Sequence, residues 1–477
     1  MNLLFVASEC APFIKTGGLA DVIGAVPKSL PPLGARVRVL LPAYPALSGE
    51  VAQGTEVLSL PDLHGGPARV LAVTARGIDL LLLDAPHLFD RPGNIYLDGN
   101  GQDWHDNALR FGALSRVGAM IARGDLGDWT PDLVNAHDWQ AALVPAYLTD
   151  WQVDVPTVMT IHNIAFQGVY APEVMGPLGL SHSMFDVDRG EYYGGFSFLK
   201  TGLMLADRIT TVSPTYAREL MEPGFGMGLD GVMRARRSDL SGIVNGIDLD
   251  VWNPDDDPSI DTPYSARTLK RKAANKSVLE ARFGLAPGDG PLFCVISRLT
   301  EQKGLDLLLE ALPAMLAEGG RLALLGSGDK GLERGFAEAA SRYPGQVGTI
   351  IGYDEPLSHL MQAGSDAILI PSRFEPCGLT QLYGLRYGTI PVVARTGGLA
   401  DTVIDANPAA LDMGVATGVQ FAPITAPALE QAISRTISLY AQPKVWAGMQ
   451  RRAMRQPVGW DASAQAYHAL FTDLIEG

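Results

Sequence analysis

Short, unbroken apolar runs alternate with longer stretches of helical pattern along most of this chain, and this feature narrows the fold more than any other. The runs fall at residues 3–7, 37–41, 80–83, 133–135, 157–161 and 208–212, then in a second series at 292–297, 321–325, 347–351, 367–370 and 391–394. A strand with one wet face alternates apolar and polar residues, whereas a continuous run is apolar on both faces, as in a sheet covered on both sides. With helices between the runs, the pattern predicts βαβ units and parallel sheets, an α/β architecture.

Two series of runs imply two domains. Between them, residues 251–276 are rich in proline and charge and read as a connector, which places the boundary at 244–250. Each half is long enough for its own core. At the end of the chain, Trp460, Ala464, Tyr467, Leu470, Phe471 and Leu474 form one helical stripe, and Asp461 suits the start of that helix.

Composition removes several function classes. Of 477 residues, 47% are hydrophobic and 19% charged, which excludes a disordered chain. Asp plus Glu outnumber Lys plus Arg by 52 to 37, so the basic footprint of a nucleic-acid binder is missing. Cys10, Cys294 and Cys377 are far apart and form no CxxC pair, which argues against a disulfide scaffold or structural zinc and for a reducing compartment. The opening MNLLFVASECAPF has no basic residue before its short apolar run, and Glu9 closes that run, so it reads as a buried strand rather than a secretory signal. No stretch reaches the ~18 apolar residues of a membrane span. The expectation is a soluble, cytoplasmic protein with no membrane partner; self-association is left open.

The hexapeptide TGGLAD occurs at 16–21 and again at 396–401, each time after an apolar run and at the start of a helical pattern. Such a turn is either a reused strand-to-helix connection or an anion site, in which glycines admit a ligand and helix-start N–H groups point at it. One copy in each half favours a ligand held by two similar domains.

Ligands of open parallel sheets bind beyond the carboxyl ends of the strands. There the sequence places Glu9, Lys15, His137, Asp138, His162, Asn163 and Ser213 in the first half, and Arg298, Lys303, Tyr353, Asp354, Glu375 and 396–398 in the second. Arg298 ends a run and Lys303 lies at the next helix start, a pairing that suits a diphosphate. Glu375 alone reads as an ordinary carboxylate near a helix start, and His162 as a hydrogen-bonded rim residue. His137 and Asp138 are adjacent and point apart on an extended chain, so they make a poor metal pair. GSGDKG at 326–331 is a literal GxGxxG, the basis for a rival reading as an NAD-dependent oxidoreductase, but it follows the second run of its half rather than the first. Asp248 and Asp250 form a DxD, and Asp255–Asp257 an acidic run; both read as solvated turn residues.

KTGGLADV at 15–22, NAHDWQ at 135–140, TIHN at 160–163, VNGID at 244–248, SRLTEQKG at 297–304, PSRFEPCGLTQLYGLRYGT at 371–389 and TGGLADTV at 396–403 together resemble bacterial glycogen synthases and plant starch synthases. The resemblance implies a GT-B architecture: two Rossmann-like domains, 1–244 and 245–456, with parallel sheets facing across a deep cleft, and a C-terminal helix within 457–477 that returns to the first domain. It also implies retaining transfer of glucose from ADP-glucose to the non-reducing end of an α-1,4-glucan. Neither a metal nor a cofactor is implied, since the nucleotide sugar is a substrate. A related GT-B enzyme using UDP-glucose or another acceptor is the nearest rival.

Carried over by motif, Lys15, Gly17, Gly18 and Asp21 approach the donor from the first domain. Arg298 and Lys303 bind its diphosphate, and N–H groups near Leu379 and Thr380 hold the distal phosphate. Tyr353 lies against the adenine. Asp138, His162, Asn163, Asn245 and Glu375 surround the glucose, and Cys377 and Gly378 contact it through their backbone, with Thr396, Gly397 and Gly398 alongside. The wider retaining GT-B pattern has a second Glu eight positions after the first; here that position is Tyr383. Breaking the sugar–phosphate bond makes a cationic sugar and an anionic leaving group, which Arg298, Lys303 and the helix start are placed to stabilise. Retention ordinarily calls for a carboxylate nucleophile. None is obvious in these motifs, so the expectation is front-face attack assisted by the departing phosphate.

Overall fold

β1 (Asn2–Val6) carries the first apolar run, and every residue from Leu3 to Ala7 is fully buried. In the computed structural model, which describes residues 1–477, it is the centre of the first of two units, residues 1–245 with 460–477. The other strands of that unit's main sheet are β2 (Arg36–Pro42), β3 (Thr55–Leu60), β4 (Ala68–Ala75), β5 (Ile78–Asp84), β6 (Leu133–His137) and β7 (Thr157–Ile161). After the small strands β8 (Val169–Tyr170), β9 (Glu191–Tyr192) and β10 (Gly195–Ser197), β11 (Arg208–Thr211) and β12 (Leu240–Gly242) complete it. Its order is β12-β11-β7-β6-β1-β2-β5-β4-β3, parallel from β12 to β5 and antiparallel beyond.

The strands that the sequence pattern did not reveal have a common cause. β3 and β4 form the sheet's antiparallel edge and are only partly buried, so they lack the continuous apolar signature. β4 turns into β5 through Arg76 and Gly77, both at positive φ (50° and 78°), as a two-residue hairpin requires. β8, β9 and β10 form a separate antiparallel sheet of two- and three-residue strands.

The C-terminal helix, Asp461–Glu476, belongs to this unit. Phe471 packs edge-on against Phe5 with centroids 6.1 Å apart, and Ser463 Oγ donates to the Val244 carbonyl at 2.5 Å.

The second unit, residues 246–459, is built on β13 (Leu292–Ile296), β14 (Arg321–Gly326), β15 (Val347–Ile351), β16 (Ala367–Ile370), β17 (Ile390–Ala394) and β18 (Val419–Phe421). The order is β15-β14-β13-β16-β17-β18, parallel throughout. Successive residues of β13 feed opposite cores: Phe293 and Val295 join one cluster, Leu292 and Cys294 the other. This explains the unbroken apolar runs.

The stretch 251–276 is not the loose connector its composition predicts. Trp252, Ile260, Tyr264 and Leu269 join the larger core, and Lys272 and Asn275 are buried. Its buried polar residues, Asp257, Lys272 and Asn275, are satisfied internally, so the stretch is not a solvated linker.

Each sheet reverses strand order once near its middle: between β1 and β6 in the first unit, and between β13 and β16 in the second. The residues just past those four strands are therefore the ones a ligand would meet.

Candidate active site

Beyond β1, the loop 9–18 is organised by Glu9, a residue 3% exposed. Its Oε2 accepts the N–H groups of Thr16 (2.5 Å) and Gly17 (3.1 Å), and its Oε1 accepts the hydroxyls of Thr16 and Tyr96, both at 2.6 Å. Lys15 pairs with Asp21 at 2.7 Å. The expectation that the amides of this turn stand free for an anion is corrected: two of them are held by Glu9. The glycines are open nevertheless, since a side chain at Gly17 or Gly18 would meet nothing within 4 Å.

The second TGG turn uses its glycines differently. The Gly398 N–H donates to the carbonyls of Glu375 and Pro376, both at 3.1 Å. A Cβ on Gly397 or Gly398 would collide with the backbone of Glu375 or Cys377. Gly397 and Gly398 thus pack on the 375–377 backbone, with Thr396 at the N-cap of the helix they open.

Beyond β6 and β7, His137 and Asp138 both reach His162. His137 Nδ1 lies 3.0 Å from His162 Nε2, and the His162 N–H donates to Asp138 Oδ1 at 2.7 Å. Asp138 achieves this from a left-handed backbone (φ 53°), which is how neighbours on one chain converge on one residue. Burial lowers both imidazoles, His162 to about 3, so both rings are neutral and share one N–H. His137 Nε2 is buried without a partner. An orphaned acceptor costs less than an orphaned N–H, so the proton belongs on His137 Nδ1. Burial, helped by the charge of Glu9, pushes Asp138 up to about 7 against the N–H groups of His162 and Asn163. Asn163 Oδ1 accepts the Ala165 N–H, and Asn245, at the end of this unit, is buried with Oδ1 unpartnered.

In the second unit Arg298 follows β13, exposed and without an ion-pair partner. GSGDKG holds it in place. Leu299 N–H donates to the Ser327 carbonyl at 2.9 Å and Asp329 N–H to the Leu299 carbonyl at 2.7 Å, with Gly326 and Gly328 packed on the 297–299 backbone. Asp329 accepts the Gly331 and Leu332 N–H groups, and Glu333 accepts that of Gly328. A dinucleotide's pyrophosphate would need those donors. The oxidoreductase reading therefore has no phosphate site here.

Lys303 and Glu375, 72 residues apart, meet at 2.6 Å (Nζ to Oε2), and Ser372 Oγ donates to the same oxygen at 2.8 Å. Arg373 fixes this loop through both oxygens of Asp306 and the Glu301 carbonyl. Gln381, not singled out by the sequence, ties the next turn: its Nε2 donates to the carbonyls of Cys377 (3.0 Å) and Gly378 (2.9 Å) and to Thr402 Oγ1 (3.2 Å). Gly378 has φ 73°, and Cys377 is buried. The helix Thr380–Tyr387 begins at Leu379 with no side-chain cap, leaving its first N–H groups for something outside the helix. Tyr353 is 81% exposed beside Asp354, which caps the helix Glu355–Gly364.

Tyr383, at the place of the second Glu, stacks on Trp252 with centroids 3.6 Å apart, and Trp252 stacks on His359 at 3.8 Å. Asp257, expected to be a solvated turn residue, is 3% exposed and accepts from Tyr387 (2.5 Å) and His359 (2.7 Å). Asp248 is a turn residue, its Oδ1 accepting the Asp250 and Val251 N–H groups. No group of three His, Cys, Asp or Glu side chains is arranged to hold a metal ion.

Residues 2–235 match the family model described as starch synthase catalytic domain, and residues 279–451 that of glycosyl transferases group 1. The chain is 63% identical over 481 residues to a glycogen synthase of Roseobacter denitrificans, covering 100% of both, and 58% identical to one of Jannaschia sp., covering 98% of both. The chain belongs to the glycogen synthase family. Among solved structures it matches the catalytic domain of starch synthase IV from Arabidopsis thaliana bound to ADP and acarbose, with TM-score 0.87, 30% identity and coverage of 100% of this chain and 99% of that one. A sucrose-phosphate synthase from Thermosynechococcus elongatus, 16% identical with TM-score 0.59 over 100% of this chain and 99% of that one, shares the fold. As a glycogen synthase family member the protein is a two-domain GT-B glycosyltransferase, and no helix is long and apolar enough to cross a membrane.

Proposed function

We propose that this protein transfers glucose from ADP-glucose to the non-reducing end of an α-1,4-glucan with retention, without a metal. The observation that carries the proposal is the arrangement beyond β13 and β16: unpaired Arg298, the Lys303–Glu375 pair, and the uncapped start of the helix Thr380–Tyr387. Arg298, Lys303 and the N–H groups from Leu379 and Thr380 take the diphosphate and stabilise the leaving ADP as charge develops. Tyr353 offers an exposed ring to the adenine. Lys15 meets the donor from the first unit. In this reading Asp138, His162, Asn163 and Asn245 of the first unit, and Glu375 with the backbone of Cys377 and Gly378 of the second, are the groups assigned to the glucose.

Glu375 is a poor nucleophile in this setting. Its Oε2 is engaged by an ammonium and a hydroxyl, which lower the energy of its lone pairs. His162, neutral and tied to His137 and Asp138, supplies a fixed backbone rather than a base. Both features support front-face attack, with the leaving phosphate accepting the acceptor's proton. Cys10, Cys294 and Cys377 form no disulfide, which suits a reducing cytoplasm.

Incubation with radiolabelled ADP-glucose and glycogen in chelator tests the reading, with UDP-glucose as competitor. Label should enter the glucan from ADP-glucose and resist a UDP-glucose excess. Incorporation that requires a divalent cation, or a covalent glucosyl adduct trapped on Glu375, overturns the scheme.

A further inference from the structure

The amides of a glycine-rich turn at a helix start ordinarily wait for an anion from solution. In the loop 15–18 the chain supplies its own. The Glu9 carboxylate sits under the turn and ion-pairs with no Lys, Arg or His; its four contacts are two backbone N–H groups and two hydroxyls. It also lies at the start of the helix Gly18–Ser29, where a negative charge is favoured. Tyr96 is clamped in turn by Ser8 Oγ at 2.8 Å, and burial holds its phenol well above the ordinary range, so it stays a donor. A phosphate oxygen cannot take the Thr16 and Gly17 amides without displacing this carboxylate, and the two would repel.

We propose that Glu9 is a positioning residue for the donor, a built-in anion that fills the nest at Thr16 and Gly17 so that the loop meets a nucleotide sugar through Lys15 and the open faces of Gly17 and Gly18, not through the Thr16 and Gly17 amides. The proposal rests on the ADP-glucose reading. It adds that the Thr16 and Gly17 amides take no part in gripping the diphosphate, and that the geometry of Lys15 is set from beneath by Glu9 and sideways by Asp21.

The test uses the full-length enzyme with three probes: KM for ADP-glucose, saturating acetate, and amide hydrogen exchange at Thr16 and Gly17. Glu9→Ala should raise the donor KM about tenfold or more with a smaller fall in kcat, and should speed exchange at both amides. Acetate, which fits the vacated carboxylate position, should reverse part of both effects in this variant and neither in the unmutated enzyme. Glu9→Gln should recover most of the loss, because its oxygen can accept both amides while its NH2 group donates to the two hydroxyls. An unchanged donor KM and unchanged exchange in Glu9→Ala overturn the proposal, as does a loss that neither acetate nor the Gln variant relieves. Should Glu9→Ala not fold, Tyr96→Phe decides: a rise in donor KM with faster exchange at Thr16 supports the proposal, and no change in either overturns it. Exchange is read without donor, so it judges Glu9 even if ADP-glucose proves to be the wrong nucleotide sugar.

Discussion

Lys303 Nζ lies 2.6 Å from Glu375 Oε2, with the two side chains 17% and 9% exposed, so the pair is largely withdrawn from water. Each charge depends on the other. Removing Lys303 leaves Glu375 with one hydroxyl partner and a negative charge beside an incoming diphosphate. Removing Glu375 leaves Lys303 free to swing. Lys303→Ala and Glu375→Ala should each cut kcat/KM by about a hundredfold, and a double-mutant cycle should show coupling of about 2–3 kcal/mol. The double variant should then be little worse than the poorer single one. Strictly additive losses would show that the two groups work separately.

Asp138 is the group in the site that changes charge near neutrality. Burial pushes it up to about 7, while His162, lowered to about 3, stays neutral across the working range. A limb near pH 7 should therefore appear in kcat/KM and vanish in Asp138→Asn. The stability consequence has a definite sign. With a folded pKa above the reference of 3.8, the folded state holds a proton that the unfolded state has lost between pH 4 and 7, so this residue's contribution falls as pH rises through that window. Urea unfolding at several pH values should show the Asn variant gaining on the parent between pH 4 and 7.

The apolar runs exposed both sheets to sequence reading because β1, β6, β7, β13, β14, β16 and β17 are covered on both faces, and no turn chemistry had to be guessed. β18 escaped because it has only three residues, and β3 because it is largely wet. At the site, motif position located Lys303 and Glu375 but not their pairing, which depends on β13 and β16 being neighbours. Composition misled at 251–276, where polar residues are buried with partners: Asp257 with His359 and Tyr387, Asn275 with both backbone groups of Thr262. Tyr383 shows the same limit. Sequence revealed that a carboxylate was missing there; only the structure shows its ring committed to Trp252.

Gln381 is the site residue that no motif announced. One amide nitrogen serves the carbonyls of Cys377 and Gly378, the two residues whose backbone faces the donor sugar in the proposed scheme. A carboxylate in its place would set negative oxygens against those carbonyls. Gln381→Glu should lower kcat/KM more than tenfold, an effect of about 1.4 kcal/mol or more on the transition state. Gln381→Met should fall between that variant and the parent, since it removes the tie without adding repulsion. Steady-state kinetics at saturating glycogen checks the order, and a Glu variant as active as the parent would refute the role.

Lys272 lies far from this chemistry, yet its environment makes a sharp prediction. Its ammonium is buried and donates to the carbonyls of Gln362 and Ala363 and to Thr389 Oγ1, all at 2.8 Å, with the Tyr264 hydroxyl at 3.3 Å. No carboxylate touches it, because Asp366 is held by Lys276 at 2.6 Å. Burial therefore lowers its pKa from 10.5 to about 7. Between those values the unfolded chain binds a proton that the folded chain has released, so stability should rise with pH through that window, and the cost of the buried charge is complete below pH 7. Lys272→Met has no proton to release. It loses the hydrogen bonds at every pH, so it should be less stable than the parent above pH 9. The gap should then narrow as pH falls toward 7, by about 1.4 kcal/mol per unit at most. Urea unfolding of both proteins at pH 7, 8 and 9 measures that gap, and a gap independent of pH would mean that Lys272 keeps its charge in the folded protein throughout.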